Sequence, residues 1–451
     1  MQMMKWSVMA LAIAAATTQL AYADVQDDAA AKENLSSQAK SNGFLEDSTL
    51  DLLSRNFAFN RDFKYVDKNT VNEWAQGEML TYSSGFTQGT VGFGVDAYGY
   101  LGLRLNSGDG STGSGLLQNN TKYRADGSDY EQANDQYGTA GAAVKMRVSE
   151  TVLKYGDQRT AAPVFATADS RLLPETATGF NLMSEEISGL VAEAGHFTAF
   201  KDRNGTDHED ELSTSYSGTT AEAISYFGAS YGITDELSAS LYASEVEDTW
   251  RQYYANVNYS LALADDQAVA VDFNIYRTNN YGDSLAGNIG NTTFSLAPSY
   301  TIGAHKFTLA YQQNEGNSPF DYVGGDSIFL ANSVQISDFS MAGEESWKAK
   351  YDLDMTTYGV PGLTFMALYV TGSGADSNKS DVYNNYIGDT RGGEEWEQNF
   401  EAKYVLQEGP AKDLSLRLRE SVYRSNTAAN GYETGDTNEV RLIVEYPLSI
   451  L

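Results

Sequence analysis

Val91-Gly92-Phe93-Gly94-Val95-Asp96-Ala97-Tyr98-Gly99-Tyr100-Leu101-Gly102-Leu103-Arg104-Leu105 is the stretch whose reading decides the architecture. Its odd positions hold Val91, Phe93, Val95, Ala97, Leu101, Leu103 and Leu105 beside one glycine. Its even positions hold Asp96, Tyr98, Tyr100 and Arg104 among glycines. A period of two sustained this long is a strand with one apolar and one polar face. The same alternation returns at 237–244, 253–261, 269–275, 414–419 and 440–446.

What lies between these strands alternates too. Short connections at 232–236, 264–267, 303–305, 359–362 and 408–411 have the Gly/Asp/Pro composition of hairpin turns. Long Gly/Asn/Asp/Ser-rich stretches fall at about 106–138, 157–182, 200–219, 277–291, 312–328, 371–395 and 425–437. A soluble sandwich has no reason to sort its connections in this way. A transmembrane antiparallel up-and-down β-barrel does: periplasmic turns are short, extracellular loops are long, and strands of roughly ten residues cross between them. Tyrosine and phenylalanine near strand ends then form the interfacial girdles.

Residues 1–23 have the form of a secretory signal, with Lys5 before an apolar core from Val8 to Ala16 and Ala21-Tyr22-Ala23 as the cleavage site. Residues 24–43 read as a flexible N-terminal segment, and 44–451 as one barrel domain with inward-folded loops. At roughly 20–25 residues per strand with its share of loop, the 451 residues less the leader give about 17 to 21 strands. Closure calls for an even number, so eighteen strands are expected, around an aqueous lumen.

Composition narrows the function. With 61 acidic and 30 basic side chains the formal charge is −31, which excludes nucleic-acid binding through the bulk field. There is no cysteine, hence no disulfide, thiol nucleophile or thiolate metal site. No metal site and no cofactor are expected. Beyond the leader no run of 18 apolar residues occurs, so a helical membrane protein is excluded.

Several phrases resemble the OprD family of substrate-selective outer-membrane porins, and within it the OprE-type members of pseudomonads. They are 47–56, 85–96, Ser170-Arg171-Leu172-Leu173-Pro174-Glu175-Thr176-Ala177-Thr178-Gly179-Phe180, Gly325-Asp326-Ser327-Ile328-Phe329-Leu330-Ala331-Asn332-Ser333 and Tyr446-Pro447-Leu448. The likeness runs over essentially the whole mature chain, although Leu451 replaces the terminal phenylalanine common among such barrels. The resemblance implies an 18-stranded pore in the Gram-negative outer membrane, with loops narrowing it to an eyelet. It also implies passive uptake of small carboxylate-bearing nutrients along lumenal arginines, and allows a homotrimer. Outer-membrane lipid and lipopolysaccharide, small anionic or zwitterionic solutes and the barrel-assembly machinery are the expected partners.

Strand parity addresses the same point directly. Arg417 and Arg419 share a polar face with Ser415 and Ser421, and Lys145 and Arg147 one opposite Val144 and Met146. Lys348, Lys350, Lys403, Arg104 and Arg441 also fall on polar faces, while Arg55 joins this lumenal basic row on the resemblance. A lipid-facing Arg or Lys at the midplane costs about 2–4 kcal/mol, so these faces point inward. Arg159 and Arg171 are candidates for an eyelet loop. Asp321, Asp326 and Ser327 are candidate acceptors on the opposing side. Two alternatives stand beside selective uptake. One is a general diffusion porin. The other, an outer-membrane serine hydrolase, is disfavoured because no Gly-x-Ser-x-Gly elbow surrounds His196, His208 or His305.

Overall fold

The computed structural model describes residues 35–64, 70–106, 112–123, 129–208, 211–376, 382–383, 391–426 and 435–451. The signal sequence expected at 1–23 lies outside them. Eighteen long strands follow one another along the chain: β1 (Thr49–Phe63), β2 (Val71–Ser83), β3 (Val91–Arg104), β4 (Gln136–Val148), β5 (Thr151–Gln158), β6 (Thr176–Ile187), β7 (Leu190–Lys201), β8 (Ile224–Gly232) and β9 (Leu237–Val246) form the first half. The second half is β10 (Trp250–Ala264), β11 (Gln267–Asn280), β12 (Gly290–Ile302), β13 (His305–Glu315), β14 (Glu345–Asp354), β15 (Leu363–Asp376), β16 (Arg391–Val405), β17 (Ser415–Ser425) and β18 (Thr437–Ser449).

All belong to one 18-stranded sheet in which each strand pairs antiparallel with its neighbours in sequence. Closure comes from β18 against β1, in register from Asp51↔Ser449 to Phe63↔Thr437. The backbone hydrogen bonds of every strand are thereby satisfied without an open edge, as the interior of a bilayer requires. No helix among the described residues is long and apolar enough to cross a membrane.

The connections sort by end. One end carries the turns 84–90, 149–150, 188–189, 233–236, 265–266, 303–304, 355–362 and 406–414. The other carries the long loops, with shorter connections at 64–70, 247–249 and 281–289. Loop bounds need correction: the stretch expected at 157–182 runs from 159 to 175, that at 277–291 from 281 to 289, and that at 371–395 lies between Asp376 and Arg391. The loop placed at 312–328 runs from 316 to 344, because β13 continues to Glu315 and Ile328-Phe329-Leu330 lies inside the lumen rather than in a strand.

Side chains alternate across the wall. Phe93, Val144, Leu241, Leu309 and Trp347 are exposed on the outer face. The buried hydrophobic residues instead line the inside, where loops cover them. One cluster joins Phe165, Phe197, Tyr226, Tyr254, Tyr276 and Phe320; the other joins Phe57, Phe59, Leu116, Tyr137, Leu172 and Leu173. The core of this barrel is therefore a plug of loop side chains against lumenal aromatics. Of the segment expected to be flexible, residues 35–43 are pinned: Gln38 Nε2 donates to the carbonyls of Thr87 (2.9 Å) and Gly89 (3.0 Å), and Ser41 Oγ to Phe86 O (2.6 Å).

Candidate functional site

Two loops narrow the lumen. The 159–175 loop leaves β5, makes a small hairpin (Ala161–Ala162 with Phe165–Ala166), and descends to mid-wall. Phe165 is its apolar anchor, with ring centroids 5.2 Å from Phe197 and 6.2 Å from Phe200. Tyr276 of β11 donates to Pro163 O (3.0 Å), so the tip reaches the far wall. Leu172 then seats over two glycines: a Cβ on Gly77 or Gly102 would lie 3.1 Å from its side chain. At Gly77 the Leu172 backbone and side chain leave no ordinary room for a Cβ, and at Gly102 the Tyr137 ring, 2.3 Å from where a Cβ would be, excludes one outright.

Arg55 closes the contact. Its guanidinium donates through Nη1 to Asp169 Oδ1 (2.8 Å), Arg171 O (2.8 Å) and Leu172 O (3.1 Å), and through Nε to Glu445 Oε1 (2.7 Å). Burial alone would raise the Asp169 carboxyl, but Arg55 and Arg159 outweigh it and hold the group below the usual carboxylate range.

The 316–344 loop crosses the other way. Lys348 donates to Ala331 O, Ala331 N–H to Ser295 Oγ (3.0 Å) and Asn332 N–H to Gln312 Oε1 (2.8 Å), which fixes it to β12–β14. At its far side the Glu397 carboxylate accepts the N–H groups of Ile336 (3.1 Å) and Ser337 (2.9 Å), and Glu439 accepts from Gln335 (2.8 Å). The two loops touch: Ala166 N–H donates to Ser327 Oγ (2.6 Å) and Gly325 N–H to Glu175 Oε2 (2.9 Å). Arg159 and Asp326 stay exposed at that junction.

Against this constriction, the wall of β16, β17, β18 and β1 carries a basic stripe. Arg61 pairs with Glu439 (2.6 Å), which also takes Arg441 (2.5 Å). Arg441 sits opposite Arg419 across β17–β18, and Arg417 opposite Lys403 across β16–β17. Glu401 receives Arg419 and lies 3.8 Å from Arg417. Phe59 supplies an aromatic floor, with the guanidiniums of Arg61, Arg171 and Arg441 at 5.2, 5.6 and 5.4 Å from its centroid.

The structure separates the expected residues by accessibility. The side chains of Arg417 and Arg419 are 27% and 32% exposed, and Lys350, Lys403, Arg147 and Arg171 are half-buried. Arg55 and Arg441 are only 5% and 3% exposed, because ion pairs and loops enclose them. Lys145 is buried against Asp96 (2.7 Å), and Lys348 is half-buried and committed to Ala331 O. Arg104 lies at the loop end of β3, on Asp135 and Ala133 O.

Among the acceptors, Asp321 is enclosed: it takes the N–H groups of Tyr216 (2.8 Å), Ser217 (2.9 Å) and Tyr322 (2.9 Å), and burial still pushes its carboxyl up. Ser327 is a loop staple. Only Asp326 of the three is open. Residues that sequence reasoning missed include Arg61, Lys154 (2.6 Å from Asp96), Glu401 and Asp272. Asp272 faces inward from β11 and accepts from Asn256 Nδ2 (2.7 Å), making an amide-and-acid wall opposite the basic one. Its parity was readable, but nothing local marked it as part of the pathway.

A family profile described as outer membrane porin, OprD family, matches residues 42–450. Porin D of Pseudomonas aeruginosa is 53% identical over the full length of both chains, and the porin-like protein GalP of Pseudomonas putida 32% identical over 92% of this chain and 95% of its own. Among solved structures, OprD of Pseudomonas aeruginosa superposes with a TM-score of 0.79 at 52% identity, covering 93% of this chain and 99% of that one. The OpdK structure with vanillate, also from Pseudomonas aeruginosa, gives 0.78 at 36% identity over 90% of this chain and all of that one.

Proposed function

The chain belongs to the OprD family of outer-membrane porins, a channel for small solutes in the Gram-negative outer membrane, and from that premise we propose that it favours carboxylate-bearing solutes. The observation that carries this reading is the basic stripe left open in a chain of net charge −31, with Arg417, Arg419 and Lys403 adjacent on β16 and β17. A solute passing the junction of the two loops meets Arg159 and Asp326, then the guanidinium pair. Each planar guanidinium offers a carboxylate two parallel donors in exchange for part of its hydration.

The Glu401 carboxylate between Arg417 and Arg419 keeps that attraction shallow, since an incoming anion displaces an existing partner. Shallow binding is what conduction requires, because the site must be left as easily as it is entered. Asp326 and the Asp272 wall suit an ammonium or hydroxyl on the same solute. The enclosed Arg55, Asp321 and Ser327 hold loops, while Lys145 and Arg441 are spent on Asp96 and Glu439 of the wall, and none of the five makes a direct contact in this reading. The chain is exported on its leader and inserted by the barrel-assembly machinery.

Liposome swelling with a panel of small carboxylates and their amide analogues tests the proposal. Each acid should enter faster than its amide at equal size. Equal rates across the panel would leave a general diffusion pore.

A further inference from the structure

On the inner side of the closing seam, Phe59 has Arg61 two residues further along β1 and Arg441 directly opposite on β18. Arg171 of the 159–175 loop completes a ring of three guanidiniums, each within 5.6 Å of the Phe59 centroid. Three loops cover this ring. Leu116 and Leu117, after β3, and Leu172 belong to the apolar cluster around Phe59, and Gln335 of the 316–344 loop reaches Glu439 (2.8 Å). Phe59, Glu439 and Arg441 are buried as a result.

Glu439 is the carboxylate within this ring, and its oxygens are full. Oε1 accepts from Arg441 Nε and Gln335 Nε2, and Oε2 from Arg61 Nε and Nη2. Arg171 gives Nε and Nη1 to the carbonyls of Ser114 (2.8 Å) and Ser170 (3.0 Å), which carry no charge. The next carboxylate, Glu73, takes the N–H and hydroxyl of Ser114. Even with Glu73 counted, three guanidiniums meet two carboxylates. Arginine keeps its proton in proteins, so the excess is permanent. Burial, then the like charges of Arg441 and Arg203, disfavour the protonated form of Arg171. Within this excess Arg441 Nη2 is buried with no hydrogen-bond partner among the described residues. A charged donor left unpaired away from water is costly, and it calls for an acceptor that wall and loops do not supply.

We propose that this ring holds a resident tetrahedral oxyanion, sulfate or inorganic phosphate, bound by Arg441 Nη2 together with the guanidiniums of Arg61 and Arg171 beside Phe59. An oxyanion with several charged oxygens can accept from three planar forks at once, which a halide cannot match. The site is distinct from the open pair. Arg417 and Arg419 meet solutes in transit and must release them, whereas a ring covered by three loops releases slowly. Its anion is a fixed counter-ion and not a step of passage. It ties Arg171, and through Arg171 the Ser114 and Ser170 carbonyls, to the wall of β1 and β18. The loops that narrow the pore are thus held partly by a charge that the chain itself does not carry.

Equilibrium dialysis of radiolabelled sulfate against the folded protein, purified from outer membranes into detergent and held at constant ionic strength, tests the proposal. The wild type should bind one sulfate per chain, and so should Arg417→Ala with Arg419→Ala. Arg441→Lys keeps a charge for Glu439 but has no Nη2, and should bind about tenfold more weakly or worse, as expected for a lost hydrogen bond to a charged group. Unlabelled phosphate should displace the label, and chloride at the same concentration should not. Should Arg441→Lys lose its heat-modifiability, Arg171→Gln on the loop carries the same expectation. Sulfate should also raise the temperature at which the wild type loses its folded electrophoretic form, and leave that of Arg441→Lys unchanged. Absence of saturable binding by the wild type would overturn the proposal. Loss of binding in the Arg417/Arg419 variant would place the anion on the open stripe and overturn it too. Equal displacement by chloride would mean unspecific charge screening, and wild-type affinity in a folded Arg441→Lys or Arg171→Gln would contradict the assigned ligands.

Discussion

Arg55 and Arg419 both stand on the inner face of the barrel, on β1 and β17, four residues apart in register across β18, and do different work. Arg55 is covered by the 159–175 loop and spends its donors on Asp169, Glu445 and two carbonyls. Arg419 is open to the lumen and shares one carboxylate, Glu401, with Arg417. The difference teaches that facing inward is necessary for meeting a solute but not sufficient. What decides is whether a loop reaches the side chain first. In this chain the covered cations shape the pore, and the uncovered ones meet what passes through it.

The comparison breaks most visibly at the covered site. Arg55→Ala leaves Asp169 and Glu445 without their buried partner, a loss of about 3–5 kcal/mol by analogy with other buried ion pairs. The 159–175 loop should detach, single-channel conductance in planar bilayers should rise, and liposome flux should rise for acids and amides alike. Unchanged conductance would show that Phe165 and Leu172 hold the loop without the guanidinium.

A smaller effect of the same kind is expected at Glu397. Glu397→Leu strands the N–H groups of Ile336 and Ser337, at about 1–3 kcal/mol each. The 316–344 loop should then loosen at its β16 end, read as faster thiol labelling of a Val334→Cys probe from outside the cell. Acid gives a milder handle. Because Arg55 and Arg159 depress the Asp169 carboxyl, its contribution to loop anchoring is complete above the ordinary carboxylate range and is lost as pH falls through the lowered value. Conductance should therefore stay flat from neutral pH down into that range and step up only below it, whereas Asp169→Asn should already show the looser channel at neutral pH.

Much of this fold is legible in the chain. Alternation in Val91–Leu105 and 414–419 identifies strands and assigns Arg417 and Arg419 to the inner face. The contrast of short turns with long loops orients the barrel, and length constrains the strand number. The covered cations are another matter. Arg55 meets Glu445 across 390 residues of sequence, a contact created only by barrel closure. Ile328-Phe329-Leu330 is an apolar run whose place the chain does not announce; it lies against lumenal rings such as Tyr254, whose centroid is 6.2 Å from Phe329. Local pattern gives a residue its face; only the folded loops determine which faces remain open.

The central claim is that the open pair, Arg417 and Arg419, discriminates a carboxylate from its amide, whereas the covered Arg55 does not. The most direct measurement is the ratio of carboxylate to amide flux through the wild type, Arg417→Ala with Arg419→Ala, and Arg55→Ala, each in liposomes of the same composition. At about 1 kcal/mol net per hydrogen-bonded contact, or roughly fivefold, the ratio should fall several-fold in the double variant. It should stay near wild type in Arg55→Ala, even as total flux rises. Lysine at both positions should recover anion selectivity more than the ratio, because it restores charge without the planar fork. A double alanine variant that folds, conducts and keeps the wild-type ratio would contradict the account.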